Sequence, residues 1–250
     1  MTLGRPVNGI HLVDTVDAAS VNVRYWRPPV PNGQLVIFNH QYGANEAITP
    51  PYWAFPLVHA AIQSNASVIA SRLHGDNWGN AASLADVVAA YNLMNALNPV
   101  SSVVLVGASM GGLASLLTAA KGNLPAGKLK GVYLIDAVTD LSWAYTATAA
   151  GTPNAYQSSI NTAYGVSALA SIPAGQDPRN GYAASVYAGL RLRFYASTID
   201  ANVAKTQNTD AFAAFVTAAA TESAIVTHNA SGHTADCSGK DFAAFLSRCA

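Results

Sequence analysis

Little of this sequence is charged. Acidic and basic side chains make up 10% of its 250 residues, 13 of each sign, for a formal net charge of zero. A nucleic-acid binder needs a basic patch or stripe, and an anionic membrane surface selects for the same thing. Neither such a patch nor an acidic tail is present, so neither partner is expected. Cysteine is scarcer still: Cys237 and Cys249 are the only two, too few for a disulfide framework. Long apolar runs are missing as well. The longest, such as 211–220, fall far short of the ~20 residues a membrane span needs, although 51% of the chain is hydrophobic. The opening residues, MTLGRPVNGIHLVD, lack a charged segment followed by an apolar one, so no signal peptide is expected. The low charge suits an extracellular or particle-borne protein as well as a cytoplasmic one, and leaves localisation open.

What is present is apolar matter spread evenly along the chain. A chain of this length hides roughly 70% of its unfolded surface on folding, enough for one sizeable core. A single domain spanning 1–250 is the expectation. Strand-like runs fall at 10–13, 21–26, 34–39, 67–71, 103–107, 131–136, 190–197 and 224–228. Helix-like segments at 52–63, 82–97, 110–121, 210–221 and 239–248 lie between or after them. The first two strands are joined by a short polar turn at 16–19 and should pair as an antiparallel hairpin. From the third strand onward strand and helix alternate, the signature of a mostly parallel sheet of about eight strands covered by helices on both faces. In the last helix Ser238 reads as the N-cap, with Asp241 in a capping-box-like position. That helix would hold the two sulfurs about 15 Å apart at about 1.5 Å rise per residue. A bridge needs Cα atoms within about 7 Å, so no disulfide is expected between them.

One segment breaks the alternation. Residues 140–189 are rich in Ala, Ser, Tyr, Gly, Asn and Pro, longer than an ordinary loop. This stretch is expected to be a partly helical, lid-like insertion over the carboxyl ends of the strands.

The chemistry is concentrated in VVLVGASMGG, from Val103 to Gly112. An apolar strand that delivers Gly-x-Ser-x-Gly straight into a helix is a nucleophile elbow. The turn lifts the hydroxyl of Ser109 above the sheet edge, and the flanking glycines are needed because side chains would collide with the neighbouring strand and helix. The next N–H, that of Met110, stands at a helix N-terminus, where it can face an oxyanion. A serine hydroxyl needs a base held by an acid, and in this architecture the chain order is Ser, then Asp or Glu, then His. Asp200, after the strand 190–197, and His233, just past the last strand, satisfy that order at the carboxyl edge. Asp136 is the rival acid, and His228 competes with His233 from within or at the end of its strand. His74 and Asp76 make only a two-ligand set, too few for a metal site; neither a metal nor another cofactor is expected.

With these residues in view, the chain resembles the α/β-hydrolase superfamily from about 34 to its end, apart from the insertion. Its Gly-Ala-Ser-Met-Gly-Gly looks like the elbow of many serine esterases, cutinase-like polyester hydrolases among them. The resemblance implies the α/β-hydrolase fold and a triad of Ser109, Asp200 and His233. It also implies an oxyanion hole made by the N–H of Met110 and a second N–H from the loop after the third strand, Phe38-Asn39-His40-Gln41-Tyr42-Gly43. Relatives often carry His-Gly there, and Gln41 stands in place of that glycine. Tyr42 is favoured as the donor, with Gln41 the alternative, and His40 is expected to brace the loop. Gln41, Trp143 and Tyr145 are the candidate substrate-binding residues, while Tyr52, Trp53 and Trp78 fit a cleft or the core equally. The implied activity is hydrolysis of a small or polymeric carboxylic ester through an acyl-enzyme. A peptidase or amidase using the same chemistry, and a non-catalytic binding or particle-structural protein, are the alternatives.

Overall fold

The computed structural model describes residues 2–3, 10–47, 54–229, 232–234 and 237–250. Its centre is one nine-stranded sheet, made of β1 (Thr2–Leu3), β2 (His11–Val16), β3 (Asn22–Arg27), β4 (Gln34–Asn39), β5 (Ser67–Ser71), β6 (Ser102–Ala108), β7 (Leu129–Ile135), β8 (Arg191–Ser197) and β9 (Glu222–His228). The strand order is β1-β2-β3-β5-β4-β6-β7-β8-β9. β1 to β3 run antiparallel, β3 meets β5 antiparallel, and every pairing from β4 to β9 is parallel. The expected hairpin is β2–β3, and Asp17 closes its turn by accepting the N–H groups of Ala19 (2.9 Å) and Val21 (3.1 Å). β1 adds a short ninth strand that the sequence pattern does not announce.

The central strands read as unbroken apolar runs because both of their faces are covered. Alternation survives in where the side chains go. Leu35, Ile37, Val103 and Leu105 enter one core with Val87, Tyr91 and Met94 of α2 (Ala81–Leu97), Leu116 of α3 (Gly111–Ala120) and Phe212 of α6 (Ala211–Val216). Val36, Phe38, Val104 and Val106 enter the opposite one. There they meet Leu57 and Ala61 of α1 (Phe55–Gln63) and Phe242, Phe245 and Leu246 of α7 (Gly239–Arg248). A period of two along each strand thus builds two cores from one sheet.

Two details depart from expectation. The helix expected over 210–221 is confined to α6, preceded by a π-helical turn at Thr206–Asp210. Ser238 does cap α7, accepting the N–H of Asp241 at 3.2 Å. The Asp241 carboxylate, however, does not close a reciprocal capping box: it takes the Tyr133 hydroxyl at 2.9 Å and Arg193 at 3.2 Å. Tyr52 and Trp53, and with them the start of the first expected helix, lie outside the described residues. Cys237 and Cys249 flank α7, are both buried, and form no disulfide with each other.

The insertion carries α4 (Leu141–Thr146), α5 (Gln157–Tyr164) and short 3-10 turns at Leu169–Ser171 and Ala184–Tyr187. Asp140 caps α4 by accepting the Trp143 N–H at 2.7 Å. Leu141, Ala144, Tyr145 and Ile160 form a separate small core with Trp78, Met110, Leu113, Val138 and Val203. That core anchors the insertion directly onto the residue after Ser109.

Candidate active site

In the strand order β4 is flanked by β5 on one side and β6 on the other. The chain winds outward in both directions from this point, and open α/β sheets leave a crevice there. The two loops that frame it are the Ser109 turn after β6 and the His40–Gly43 loop after β4. Ser109 itself has φ of 49°, a left-handed conformation in a non-glycine residue, and such strain clusters at functional positions. The turn is over-determined. The Ser109 N–H bonds to Ile135 O at 3.0 Å, while its carbonyl accepts from Gly112 and Val138, both at 2.9 Å. The expected reason for the glycines holds in atomic terms. A Cβ on Gly107 would meet Gly111 O and Ser115 Oγ of α3, both at 2.6 Å, and one on Gly111 would run into the Asn39 carbonyl of β4.

The acid and the histidine arrive from the outer strands. His233 Nδ1 lies 2.6 Å from Asp200 Oδ2, with the two side chains 15% and 1% exposed. A carboxylate only accepts, so in the neutral ring Nδ1 carries the proton and Nε2 keeps its lone pair. The other oxygen of Asp200 holds its own loop, accepting the N–H groups of Asn202 (2.7 Å) and Val203 (3.1 Å).

Asp136 stands beside this pair without replacing Asp200. One ligand atom from each of Asp136, Asp200 and His233 fall within 4.8 Å of one another. Both Asp136 oxygens are already taken: Oδ1 accepts from Ser197 N at 2.7 Å and Oδ2 from Thr234 N at 2.8 Å. Burial pushes the Asp136 carboxyl up from its ordinary range, and these two N–H groups pull it partly back. Asp136 thereby ties the end of β8 to the residue after His233. His228, the competing histidine, is stacked on Tyr195 with ring centroids 4.9 Å apart. Its ring nitrogens have no hydrogen-bond partner among the described residues, and Asp136 is 3.9 Å from its Nε2.

His40 is buried and braces its loop as expected, with Nδ1 2.7 Å from Gln41 O and Nε2 2.8 Å from Arg72 O. Gln41, Tyr42, Ser109 and His233 all line one cavity of about 370 Å³, together with Ala149, Thr152, Ala155, Tyr156 and Asn202. The Oε1 of Gln41 is buried there with no hydrogen-bond partner among the described residues. The Met110 N–H occupies the first turn of α3, where intrahelical acceptors are missing.

Trp143 and Tyr145, expected at the substrate, are not among the residues that line this cavity. Tyr145 is buried in the small core beneath the insertion, its hydroxyl donating to Asn161 Oδ1 at 2.9 Å, and Trp143 packs against the same core. Among the described aromatics of 140–189, the one that lines the cavity, beside Tyr42, is Tyr156. Its ring is 5.0 Å from Trp78 and 6.0 Å from Tyr42, and burial above all, with the Asp200 charge behind it, pushes its phenol up to about 12. Nothing in the pattern singles out Tyr156 from the other tyrosines of the insertion. His74 and Asp76 do not pair with each other: His74 Nδ1 bonds to Asp86 at 2.6 Å and Asp76 accepts the Gly43 N–H at 2.7 Å.

Against known proteins, no family model matches the chain, and no curated protein matches it. Solved structures do. An esterase from Pyrococcus furiosus superposes with a TM-score of 0.67 at 14% identity, covering 99% of this chain and 97% of its own. Carboxyl esterase 2 from the mycorrhizal fungus Tuber melanosporum gives a TM-score of 0.67 at 14% identity, covering 99% of this chain and 87% of its own. A thermostable esterase from Pseudomonas putida gives 0.66 at 18% identity, over 92% of this chain and 76% of its own. The chain has the α/β-hydrolase fold. Among the described residues no helix is long and apolar enough to cross a membrane.

Proposed function

We propose that this chain is a serine hydrolase that cleaves carboxylic esters through a covalent acyl-enzyme. The observation that carries the reading is the meeting of Ser109 and His233 in one cavity, with His233 held through Nδ1 by the buried Asp200 carboxylate at 2.6 Å. His233 Nε2 takes the Ser109 proton as Oγ attacks the acyl carbonyl. The N–H of Met110, with that of Tyr42 or Gln41, receives the oxyanion. Asp200 keeps the imidazole in the productive tautomer and stabilises the imidazolium. The alcohol then leaves with the proton from His233. Water, deprotonated by the same ring, attacks the acyl-enzyme and regenerates Ser109.

A carboxylic ester fits the cavity better than a phosphate ester. Among the described residues no Lys or Arg lines it, whereas a transferring phosphoryl group calls for cationic clamps. The esterases among the solved structures of the same fold support the same choice. In this reading residues 140–189 act as a cap, lending Ala149, Thr152, Ala155 and Tyr156 to the wall and limiting the size of the acyl group. The decisive experiment is labelling with a fluorophosphonate probe followed by peptide mapping. Modification of Ser109 supports the proposal, and an unreactive, folded protein refutes it.

A further inference from the structure

Beside the cavity of Ser109 lies a second one of about 510 Å³, and the two share Tyr42 and Ala155. Its chemistry is different. The first sets Ala149 and Tyr156 beside Ser109 and His233, whereas the second holds an aspartate, Asp76, with His74, Asn80 and the hydroxyl residues Ser158, Ser159 and Thr162.

The polar wall is built with care. Leu73 and His74 hold φ of 51° and 58°, left-handed values that non-glycine residues disfavour. The His74 ring is aimed by Asp86, 2.6 Å from Nδ1, and that carboxylate is 1% exposed while the ring is 52% exposed. An apolar side chain in place of Asp86 would serve stability as well or better. Keeping a carboxylate out of water there orients one imidazole and leaves its Nε2 available. Asp76 spends Oδ1 on the Gly43 N–H and keeps Oδ2. Ser158 and Thr162 stand one turn apart on the exposed side of α5. Tyr42, 45% exposed, stands at the border of the two cavities. An alkyl chain seated here would strand these polar groups without water. An anion would meet Asp76. Thr162 spends its hydroxyl proton on Ser158 O, and a neutral ring bearing hydroxyls matches what is left, His74 Nε2, Asp76 Oδ2 and the Ser158 hydroxyl, with an aromatic face for its C–H surface.

We propose that this second cavity binds the alcohol half of the ester as a neutral sugar-like polyol, Tyr42 lying against its ring and His74 and Asp76 hydrogen-bonding its hydroxyls. The assignment of the alcohol half rests on the ester-hydrolase reading, whereas sugar binding itself does not.

The test uses the full chain and two acetyl esters, glucose 6-acetate and p-nitrophenyl acetate, with methyl glucoside as a non-reacting probe followed by amide NMR. Methyl glucoside should shift the amides of Tyr42, His74 and Asp76. His74→Ala leaves Asp86 buried and unpaired and is prone to unfold, so Ser158→Phe, which fills the cavity from an exposed position, is the variant of choice. It should abolish those shifts and lower the ratio of kcat/KM for glucose 6-acetate over p-nitrophenyl acetate by about tenfold or more. A ratio unchanged within about twofold, or shifts confined to other residues, overturns the proposal. Methyl glucoside binding by a chain that hydrolyses neither ester would remove the hydrolase reading and leave the sugar site standing. Turnover of p-nitrophenyl acetate with no methyl glucoside shifts would do the reverse.

Discussion

Among the described residues two histidines are hydrogen-bonded to an aspartate, and by their own geometry the two pairs are nearly the same. In each, Nδ1 is 2.6 Å from a carboxylate whose side chain is 1% exposed. Each histidine follows a parallel strand, His74 after β5 and His233 after β9. Their company differs. His233 shares its cavity with Ser109, held at φ of 49° before the first turn of α3. His74 shares its cavity with hydroxyls carried on α5, of which Ser159 already accepts from Trp78 Nε1 at 2.8 Å. An aspartate fixes an imidazole equally well in both places. What differs between the two places is the left-handed turn at Ser109, which shares a cavity with His233 and not with His74.

The sharpest way to break that contrast is to remove the hydroxyl. Ser109→Ala should fold normally and lose about four to six decades of kcat on a p-nitrophenyl ester; retained turnover by the purified variant would end the triad assignment. Next, the two acids can be set against each other. Asp200→Asn favours the wrong imidazole tautomer and should cost about 10⁴ in kcat, as in the well-studied protease case, while Asp86→Asn should cost p-nitrophenyl ester turnover about tenfold or less. The same steady-state assay ranks them, and the opposite ranking would exchange the roles of the pairs.

Asp136→Asn tests a smaller effect. Asn offers one acceptor where the carboxylate serves two N–H groups, Ser197 and Thr234. Turnover should fall about tenfold or less, through displacement of the residue after His233. If Asp136→Asn instead fell further than Asp200→Asn, the acid would be Asp136.

The smallest expected effect lies away from both pairs, at Glu222. Burial alone would raise its carboxyl, but Arg248, then Arg193 and Arg191, outweigh burial and hold it below its ordinary value. A lowered folded-state value contributes stability above the unfolded carboxyl range, and that stability is lost as the pH falls through the folded value. Glu222→Gln should therefore cost about 1–2 kcal/mol at neutral pH, between the usual figures for exposed and buried pairs. The gap from the unsubstituted protein should close on acidification, as read by denaturant melts at several pH values.

Much of this was legible before any coordinates. The runs of β4, β5 and β6 are apolar on both faces, which only a sheet covered on two sides tolerates, and the glycines around Ser109 mark contacts too close for a Cβ. The sequence favours Asp200 as the acid with Asp136 a close rival, because both end strands at the same edge. Separating them takes the hydrogen bonds that their oxygens make, which no spacing encodes. Trp143 and Tyr145 were expected at the substrate and Tyr156 was not, because which face of a short helix looks into a cavity depends on how an insertion docks. That docking is set by Trp78, Met110 and Leu113, far from residues 140–189 in sequence. Asp86 did leave a trace, a lone acid within the apolar face of α2, but its partner lies in a loop whose backbone is left-handed at two residues running. The two-residue β1 has no periodicity to read.

The order of the strands carries a consequence for how activity is lost. Ser109 rises from β6, in the interior of the sheet, while Asp200 and His233 follow β8 and β9, the last two strands on one side. Among the described residues β9 has a strand on one flank only, β8. Local opening starts at such margins and costs less than global unfolding. Fraying of β9 would draw His233 away from Asp200 and from the cavity of Ser109 while the Ser109 turn and most of the sheet remained intact. Heating should then silence the molecule before its bulk secondary structure melts, with the Glu222 cluster acting as the clasp on that margin.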